Sequence, residues 1–207
     1  MSVVRIVDYG IGNLHSVQRA FSTWCDDVAI VQNGADLAHA SHLVLPGVGA
    51  FGAAMGEVHR RGLEPYLSEF VASGRPVIGL CVGMQILADT GLEDGTHSGL
   101  GLVPGTVRSL RERHPDAMVP NIGWREVRGE PCGSGLFPTN GPADLFYFAH
   151  SYELVPDDPS HVAATTEFCG RQVVAAVRRD NVWGVQFHPE KSAAAGLALL
   201  RRFVEMT

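Results

Sequence analysis

Three short apolar runs, each ending in a glycine-bearing turn, constrain this chain more than any other feature. They are Val3-Val4-Arg5-Ile6-Val7 before Asp8-Tyr9-Gly10, His42-Leu43-Val44-Leu45 before Pro46-Gly47-Val48-Gly49, and Pro76-Val77-Ile78-Gly79-Leu80 before Cys81-Val82-Gly83. Runs of four or five apolar residues without alternation suit strands buried on both faces. Between the first two, Leu14, Val17, Phe21 and Trp24 recur at helical spacing behind Asn13, which sits where a helix N-cap belongs. A further strand is expected at Asp27–Val31, and helical pattern resumes over 51–73. This alternation predicts an α/β fold with a mostly parallel sheet flanked by helices.

Beyond Gly91 the pattern changes. Val107 and the stretches 126–128, 143–148, 161–166 and 172–177 read as short strands between glycine and proline turns. Antiparallel strands joined to the parallel set make the predicted sheet mixed. Ser192 is placed to cap a last helix in which Leu197, Leu200 and Val204 share a face. At 207 residues with no linker composition, residues 1–207 are expected to form a single domain.

A net charge of -6 and the lack of a basic stripe argue against a nucleic-acid partner. The first residues do not read as a signal peptide, and no apolar stretch approaches the roughly 18 residues of a membrane span, so a cytoplasmic location is expected. Cys25, Cys81, Cys132 and Cys169 form no Cys-x-x-Cys pair, which leaves no zinc-ribbon or dithiol reading. Three of the four read as ordinary free thiols, and no metal or cofactor is implied.

The fourth, Cys81, lies in Gly79-Leu80-Cys81-Val82-Gly83. A nucleophile on a sharp strand-to-helix turn needs small residues two before and two after it, and the turn aims helical N–H groups at the side chain. Such a setting favours the thiolate, a minority species for a thiol of ordinary pKa about 8.5. On its own the pentapeptide fits a buried structural cysteine beside two turn glycines equally well. A second segment, Val185-Gln186-Phe187-His188-Pro189-Glu190, places a histidine and a carboxylate two apart across a proline. Extended backbone there points both side chains the same way, as a proton-transferring imidazole and its orienting acceptor require. In Pro46-Gly47-Val48-Gly49, glycines flanking Val48 permit a backbone N–H to face a developing oxyanion, and also permit a second peptide orientation. By itself that tetrapeptide reads first as a plain turn.

Together these segments resemble the class I glutamine amidotransferases, in content and in order along the chain. The resemblance extends more narrowly to the glutaminase subunits that serve a (β/α)8-barrel cyclase in imidazole glycerol phosphate synthase of histidine biosynthesis. It is carried by Asp8-Tyr9-Gly10-Ile11-Gly12-Asn13, by the oxyanion loop through Phe51, by the elbow continuing into Met84-Gln85, by Gly123-Trp124, by Tyr147-Phe148-Ala149-His150-Ser151-Tyr152, and by the segment from Gln186 to Ser192. It implies a flavodoxin-like fold with added antiparallel strands and glutamine hydrolysis through a thioester on Cys81. His188 would serve as base and then acid, with Glu190 holding it. Backbone N–H groups of Val48 and Val82 would receive the oxyanion. Gly49, Gln85, Ser151 and Tyr152 would hold glutamine, and Asn13, Trp124 and Lys191 would face the cyclase. Asn13 equally caps a helix, Lys191 equally serves as a solvated charge, and Trp124 equally fits a core. His150 reads as structural or substrate-side and not as a second base.

One motif departs from the family. Where Pro-His-Met-Gly-Trp is usual, this chain has Pro120-Asn121-Ile122-Gly123-Trp124. The triad is untouched, but paralogous glutaminases serving sugar-aminating synthases enter as an alternative. A stand-alone cysteine hydrolase on a similar fold is disfavoured by Gln85 and the interface residues. A catalytically inactive regulatory subunit is disfavoured by Cys81, His188 and Glu190.

Overall fold

The apolar runs lie where their lack of alternation places them, in the middle of a sheet covered on both faces. The computed structural model describes residues 2–138 and 143–207. The chain opens with β1 (Val3–Val7), α1 (Leu14–Phe21), β2 (Asp27–Val31) and β3 (His42–Leu45). Helices α2 (Phe51–Arg60) and α3 (Glu64–Ala72) precede β4 (Val77–Leu80) and the single turn α4 (Val82–Gln85). Next come β5 (Thr90–Gly91), β6 (His97–Ser98), β7 (Gly105–Ser109), α5 (Leu110–Arg113) and β8 (Asn121–Gly129). The chain closes with β9 (Asp144–His150), β10 (Tyr152–Pro156), β11 (Val162–Phe168), β12 (Arg171–Arg179), β13 (Val182–Val185) and α6 (Ala193–Val204).

The main sheet has nine strands in the order β2-β1-β3-β4-β13-β12-β11-β8-β9. Its first five strands are parallel and the remaining pairings antiparallel, so the sheet is mixed as the sequence predicts. Every residue of β3, β4 and β13 is buried. On one face α1 and α6 pack through Phe21 and Phe203, whose rings meet edge to face at 6.1 Å. On the other face α2 and α3 insert Phe51, Val58, Leu67 and Phe70. Among the described residues no helix is long and apolar enough to cross a membrane.

Several sequence expectations are corrected. Val107 does not join the main sheet; β7 belongs to a second sheet of four strands, β10-β7-β5-β6. That sheet is fastened to the first by Glu153, fully buried on β10, which accepts the N–H of Val174 on β12 at 3.3 Å and pairs with Arg113 of α5. Burial raises the carboxyl pKa of Glu153, and Arg113 works against that rise. The helical stretch over 51–73 is two helices, broken at Gly62 with φ +61° and restarted with Pro65 in the first turn. Proline lacks the N–H that a helix interior needs but that a first turn leaves unpaired. Helix α1 stops at Phe21, short of Trp24, which is exposed beneath the guanidinium of Arg201. In α6, Leu199 and Phe203 are buried more deeply than Leu197.

Backbone packs directly on backbone where α4 leaves β4. A methyl group added at Gly83 would lie 1.8 Å from the carbonyl oxygen of Leu45, and one at Gly79 would lie 2.3 Å from the carbonyl oxygen of Gly83. No side chain can move aside to relieve either clash. Gly83→Ala is therefore expected to cost about 3 kcal/mol or more, lowering the thermal midpoint by roughly 6 °C or more in a chain of this size. Calorimetry checks this, and an unchanged midpoint would contradict the close approach.

Candidate active site

The elbow forms because β4 ends against β13, where Cys81 N–H donates to the carbonyl of Val185 at 2.8 Å. Cys81 then takes φ +54° and ψ -110°, a strained geometry for a residue with a side chain. Met84 and Gln85 N–H groups turn back onto the Cys81 carbonyl at 3.0 and 3.2 Å, which starts α4. The first N–H groups of that turn, from Val82 and Gly83, have no intrahelical acceptor. The sulfur is not presented openly, as the turn alone suggests. Cys81 is 4% exposed and forms part of a cleft of about 570 Å³.

His188 comes from the strand next door, just beyond β13. Phe187 anchors this segment by stacking on Phe146 at 4.0 Å and meeting Phe148 edge to face at 5.5 Å. The backbone of His188 is extended, with φ -102° and ψ 94°. Its N–H donates to Tyr147 at 2.9 Å, and its carbonyl accepts the Ser192 hydroxyl at 2.6 Å. Ser192 thus stands at the start of α6 without capping it through its side chain, contrary to the sequence expectation. Its oxygen also receives the N–H of Tyr147 at 3.0 Å, so it locks the histidine segment to β9.

The imidazole Nδ1 of His188 lies 2.9 Å from Glu190 Oε1, which leaves Nε2 for the sulfur. Glu190 reaches it from a one-turn 3-10 helix, Pro189–Lys191, and not from the continuous extended chain that sequence spacing suggests. Burial opposes a charge on His188, but hydrogen bonds and charges from Cys81 and Glu190 prevail and push its pKa up to about 9. The imidazole therefore carries a proton at neutral pH.

Tyr9 controls the strand end opposite. Its buried hydroxyl donates to the carbonyl of Pro46, and a methyl group at Gly47 would lie 2.9 Å from that hydroxyl. Burial, then the charge at Cys81, raises the phenol pKa. Gly49, by contrast, has φ +103° and only Ile11 within 4.0 Å of an added methyl. The loop is fixed at Gly47 and open at Gly49, with Val48 exposed between them.

The cleft brings together Val48, Gly49, Cys81, Val82, Gln85 and His188, with Ser151, Tyr152 and Lys191 on its other walls. Glu190 stands behind His188. Asn13 and Trp124 are not part of the lining: Asn13 is exposed and caps α1 through Ser16 N–H at 3.4 Å, and Trp124 is 50% exposed beside Tyr147, outside the core. His150 is buried, and burial drives its pKa down to about 4, which keeps it neutral, against the hydrogen bond to the Tyr152 carbonyl. Sequence reasoning missed Tyr9 and Glu93. Glu93 is the carboxylate on the cleft wall and accepts the Phe51 N–H at 2.7 Å. Nothing local to Gly91-Leu92-Glu93 signals that role, because the loop is placed by α2. Among the described residues no group of three or more His, Cys, Asp or Glu side chains is set to hold a metal.

Residues 5–206 match the family described as Glutamine amidotransferase class-I. The chain is 45% identical over 201 residues to the imidazole glycerol phosphate synthase subunit HisH of Rhodopirellula baltica, covering 97% of this chain and 96% of that one. Identity to the subunit of the same name from Salinibacter ruber is 46% over 206 residues, with coverages of 97% and 93%. Among solved structures, PurLQS from Thermotoga maritima superposes with a TM-score of 0.77 at 18% identity, covering 98% of this chain and 97% of that chain. A crystal structure titled glutamine amidotransferase gives 0.76 at 18% identity, with coverages of 99% and 98%. At that identity the likeness is one of fold.

The elevated His188 pKa has a consequence for stability. A folded-state pKa of about 9 against the ordinary 6.5 means that the folded chain holds this proton more tightly. The resulting stabilisation is fully present below pH 6.5 and is lost as pH rises through about 9. In Glu190→Gln one source of the elevation is removed, so the loss of thermal midpoint across that window should be smaller than in the unaltered chain. NMR titration of the His188 ring gives the direct reading; a pKa unmoved by Glu190→Gln would contradict the pairing.

Proposed function

The chain belongs to the class I glutamine amidotransferase family, and from that premise we propose that Cys81, His188 and Glu190 carry its hydrolysis of glutamine. Its function is that of the glutaminase subunit of imidazole glycerol phosphate synthase in histidine biosynthesis, supplying ammonia to the cyclase subunit of that enzyme. We read residues 1–207 as one working domain. The four free cysteines support a reducing, cytoplasmic setting.

The observation that carries the triad is the placement of His188, held by Glu190 on Nδ1 and set against Cys81 in the cleft. The sulfur attacks the γ-carboxamide carbon of glutamine, and the carbonyl π electrons move onto oxygen. N–H groups of Val48 and Val82 receive that oxyanion. As it collapses the C–N bond breaks, and the His188 proton goes to the leaving nitrogen, which departs as ammonia. The neutral imidazole then takes a proton from water, whose oxygen attacks the thioester. Glutamate leaves, and the proton returns His188 and Cys81 to their starting state. Gly49, Gln85, Ser151 and Tyr152 hold the substrate, with Glu93 placed to meet its α-ammonium. Trp124, Asn13 and Lys191 form the cyclase-facing surface, joined by exposed Val48 and Ile122. Direct delivery matters because ammonia released to neutral water becomes ammonium, which has no lone pair for attack.

Cys81→Ala should abolish glutamine-dependent synthesis by the complex while ammonia-dependent synthesis continues, as paired assays with the two nitrogen sources will show. Near-normal glutaminase activity in that variant would overturn the assignment. Glu190→Gln should retain more activity than His188→Ala, because an orienting group matters less than the base it orients.

The loop geometry generates a further expectation. One missing oxyanion donor costs on the order of 10² to 10³ in turnover, so reorienting the Gly47–Val48 peptide, which carries the Val48 N–H, suffices as a switch. The purified subunit should hydrolyse glutamine slowly alone and faster with cyclase and its ribonucleotide ligand. Equal rates alone and in complex would refute the gate.

A further inference from the structure

Four buried polar side chains lie beside the triad without a part in it: Gln85, Gln186, Asn121 and His150. Buried amides and imidazoles are costly unless their donors and acceptors are matched. Here they form one continuous path. Arg125 Nε donates to Asn121 Oδ1 at 3.1 Å, and Asn121 Nδ2 meets His150 Nε2 at 2.9 Å. His150 Nδ1 lies 2.8 Å from the carbonyl oxygen of Tyr152, which also accepts Gln85 Nε2 at 3.0 Å. Gln85 Nε2 donates a second time, to Gln186 Oε1 at 3.1 Å, and Gln186 Nε2 points at the Cys81 sulfur at 3.8 Å.

The direction of every bond in this path is determined. A guanidinium N–H only donates, and a backbone carbonyl only accepts. The Tyr152 carbonyl therefore requires His150 to carry its proton on Nδ1, which leaves Nε2 as an acceptor. Asn121 must then turn its NH₂ toward His150, and Arg125 holds its oxygen on the other side. From the same carbonyl, Gln85 must present its NH₂, which obliges Gln186 to offer its oxygen to Gln85. Only the NH₂ of Gln186 remains for the sulfur. The fold fixes the same geometry, since β13 pairs with β4 in the register Val185↔Leu80 and so sets Gln186 beside Cys81. Asn121 and His150 are likewise direct partners across β8 and β9.

We infer that Gln186 is a hydrogen-bond donor to the Cys81 thiolate, held in that orientation by Gln85, whose NH₂ is fixed by the Tyr152 carbonyl; Asn121 and His150 order the same carbonyl from its other side. The inference rests on Cys81 being the nucleophile proposed above. His188 supplies the counter-charge, while Gln186 supplies a neutral donor that stays in place after His188 has given its proton away. The path also commits both N–H groups of Gln85, so its Oε1 alone is left for substrate. Asn121 takes part by presenting an N–H donor to His150. The histidine usual in the family motif presents a ring N–H and can do the same.

The test reads sulfur reactivity without glutamine. Iodoacetamide modification of Cys81, located by mass spectrometry, is followed from pH 6 to 9 in the full chain and in its complex with cyclase. Gln186→Met keeps the length and removes the donor. At pH 7 it should slow modification roughly three- to tenfold, the scale of one lost hydrogen bond, and move the profile to higher pH. Gln186→Glu should slow it further, because a carboxylate repels the thiolate. Gln85→Leu removes the donor that orients Gln186 and should slow modification to a lesser degree, while Asn121→His, on the other side of the shared carbonyl, should leave the profile in place. If Gln186→Met fails to fold, Gln85→Leu still decides. Unmoved profiles in folded Gln186→Met or in folded Gln85→Leu would overturn the inference. Glutamine hydrolysis by Cys81→Ala would instead bring down the functional reading beneath it.

Discussion

The contact between Gly83 and the carbonyl of Leu45 holds the rest of the site in place. It lets α4 begin within one residue of β4, and that abruptness drives Cys81 to a positive φ. Any side chain at Gly79 or Gly83 lifts the helix off the sheet, relaxes the turn and carries the sulfur away from His188. The cost of a strained cysteine, of order 1–3 kcal/mol, is offset by the buried strands on either side. β3, β4 and β13 lie in the parallel centre of the sheet and are wholly buried. A nucleophile at the end of such strands inherits their rigidity, and a position held within a fraction of an ångström is what near-attack geometry demands.

The second requirement is polar order in a dry place. The segment around His188 joins an aromatic cluster through Phe187, yet its imidazole has to be charged. Burial alone would neutralise it, as it does His150 a short distance away. Two histidines with comparable burial are thus driven in opposite directions by their partners. His188 has a carboxylate and a sulfur; His150 has a carbonyl and an amide. The neutral one suits a fixed position in a polarised path, and the charged one suits storage of a proton for the leaving nitrogen.

β1, β3 and β4 of the parallel half were legible because burial inside the sheet leaves a continuous apolar run. β10 was not, because Tyr152-Glu153-Leu154-Val155-Pro156 places a buried carboxylate where alternation expects an apolar side chain. Glu153 is satisfied by Arg113 and Val174, from α5 and β12, with His114 3.6 Å away, and no local pattern announces such partners. The same distinction divides the site. Cys81, His188 and Glu190 sit in short segments whose turn chemistry is written in adjacent residues. Gln186 and Asn121 acquire meaning only when β4, β8, β9 and β13 are brought together, and Glu93 only when α2 anchors its loop. The missed break after α2 is different in kind. Gly62 and Pro65 stood in the sequence as a stop and a start, and helical periodicity on both sides concealed them.

The asymmetry of the oxyanion loop sets what a partner must do in the proposed gate. Tyr9 pins Pro46, and the Gly47 α-carbon is wedged between that phenol and α4, so it cannot shift without opening the core. Motion is confined to the plane of the Gly47–Val48 peptide, which carries the Val48 N–H and turns between two α-carbons that stay in place, with open space beyond at Gly49. A partner that bound both peptide orientations equally would change nothing. A hundredfold bias requires about 2.8 kcal/mol of difference. Fully burying one valine side chain contributes about 1.5–3 kcal/mol, and Val48 is 41% exposed at this point. Covering that one side chain in only one of the two orientations supplies a substantial share of the bias. Trp124 and Ile122, half exposed on β8 at the cleft side of the sheet, supply further apolar area for the partner that covers it. Gating of this size therefore needs no rearrangement of the sheet, only selection between two positions of a single peptide.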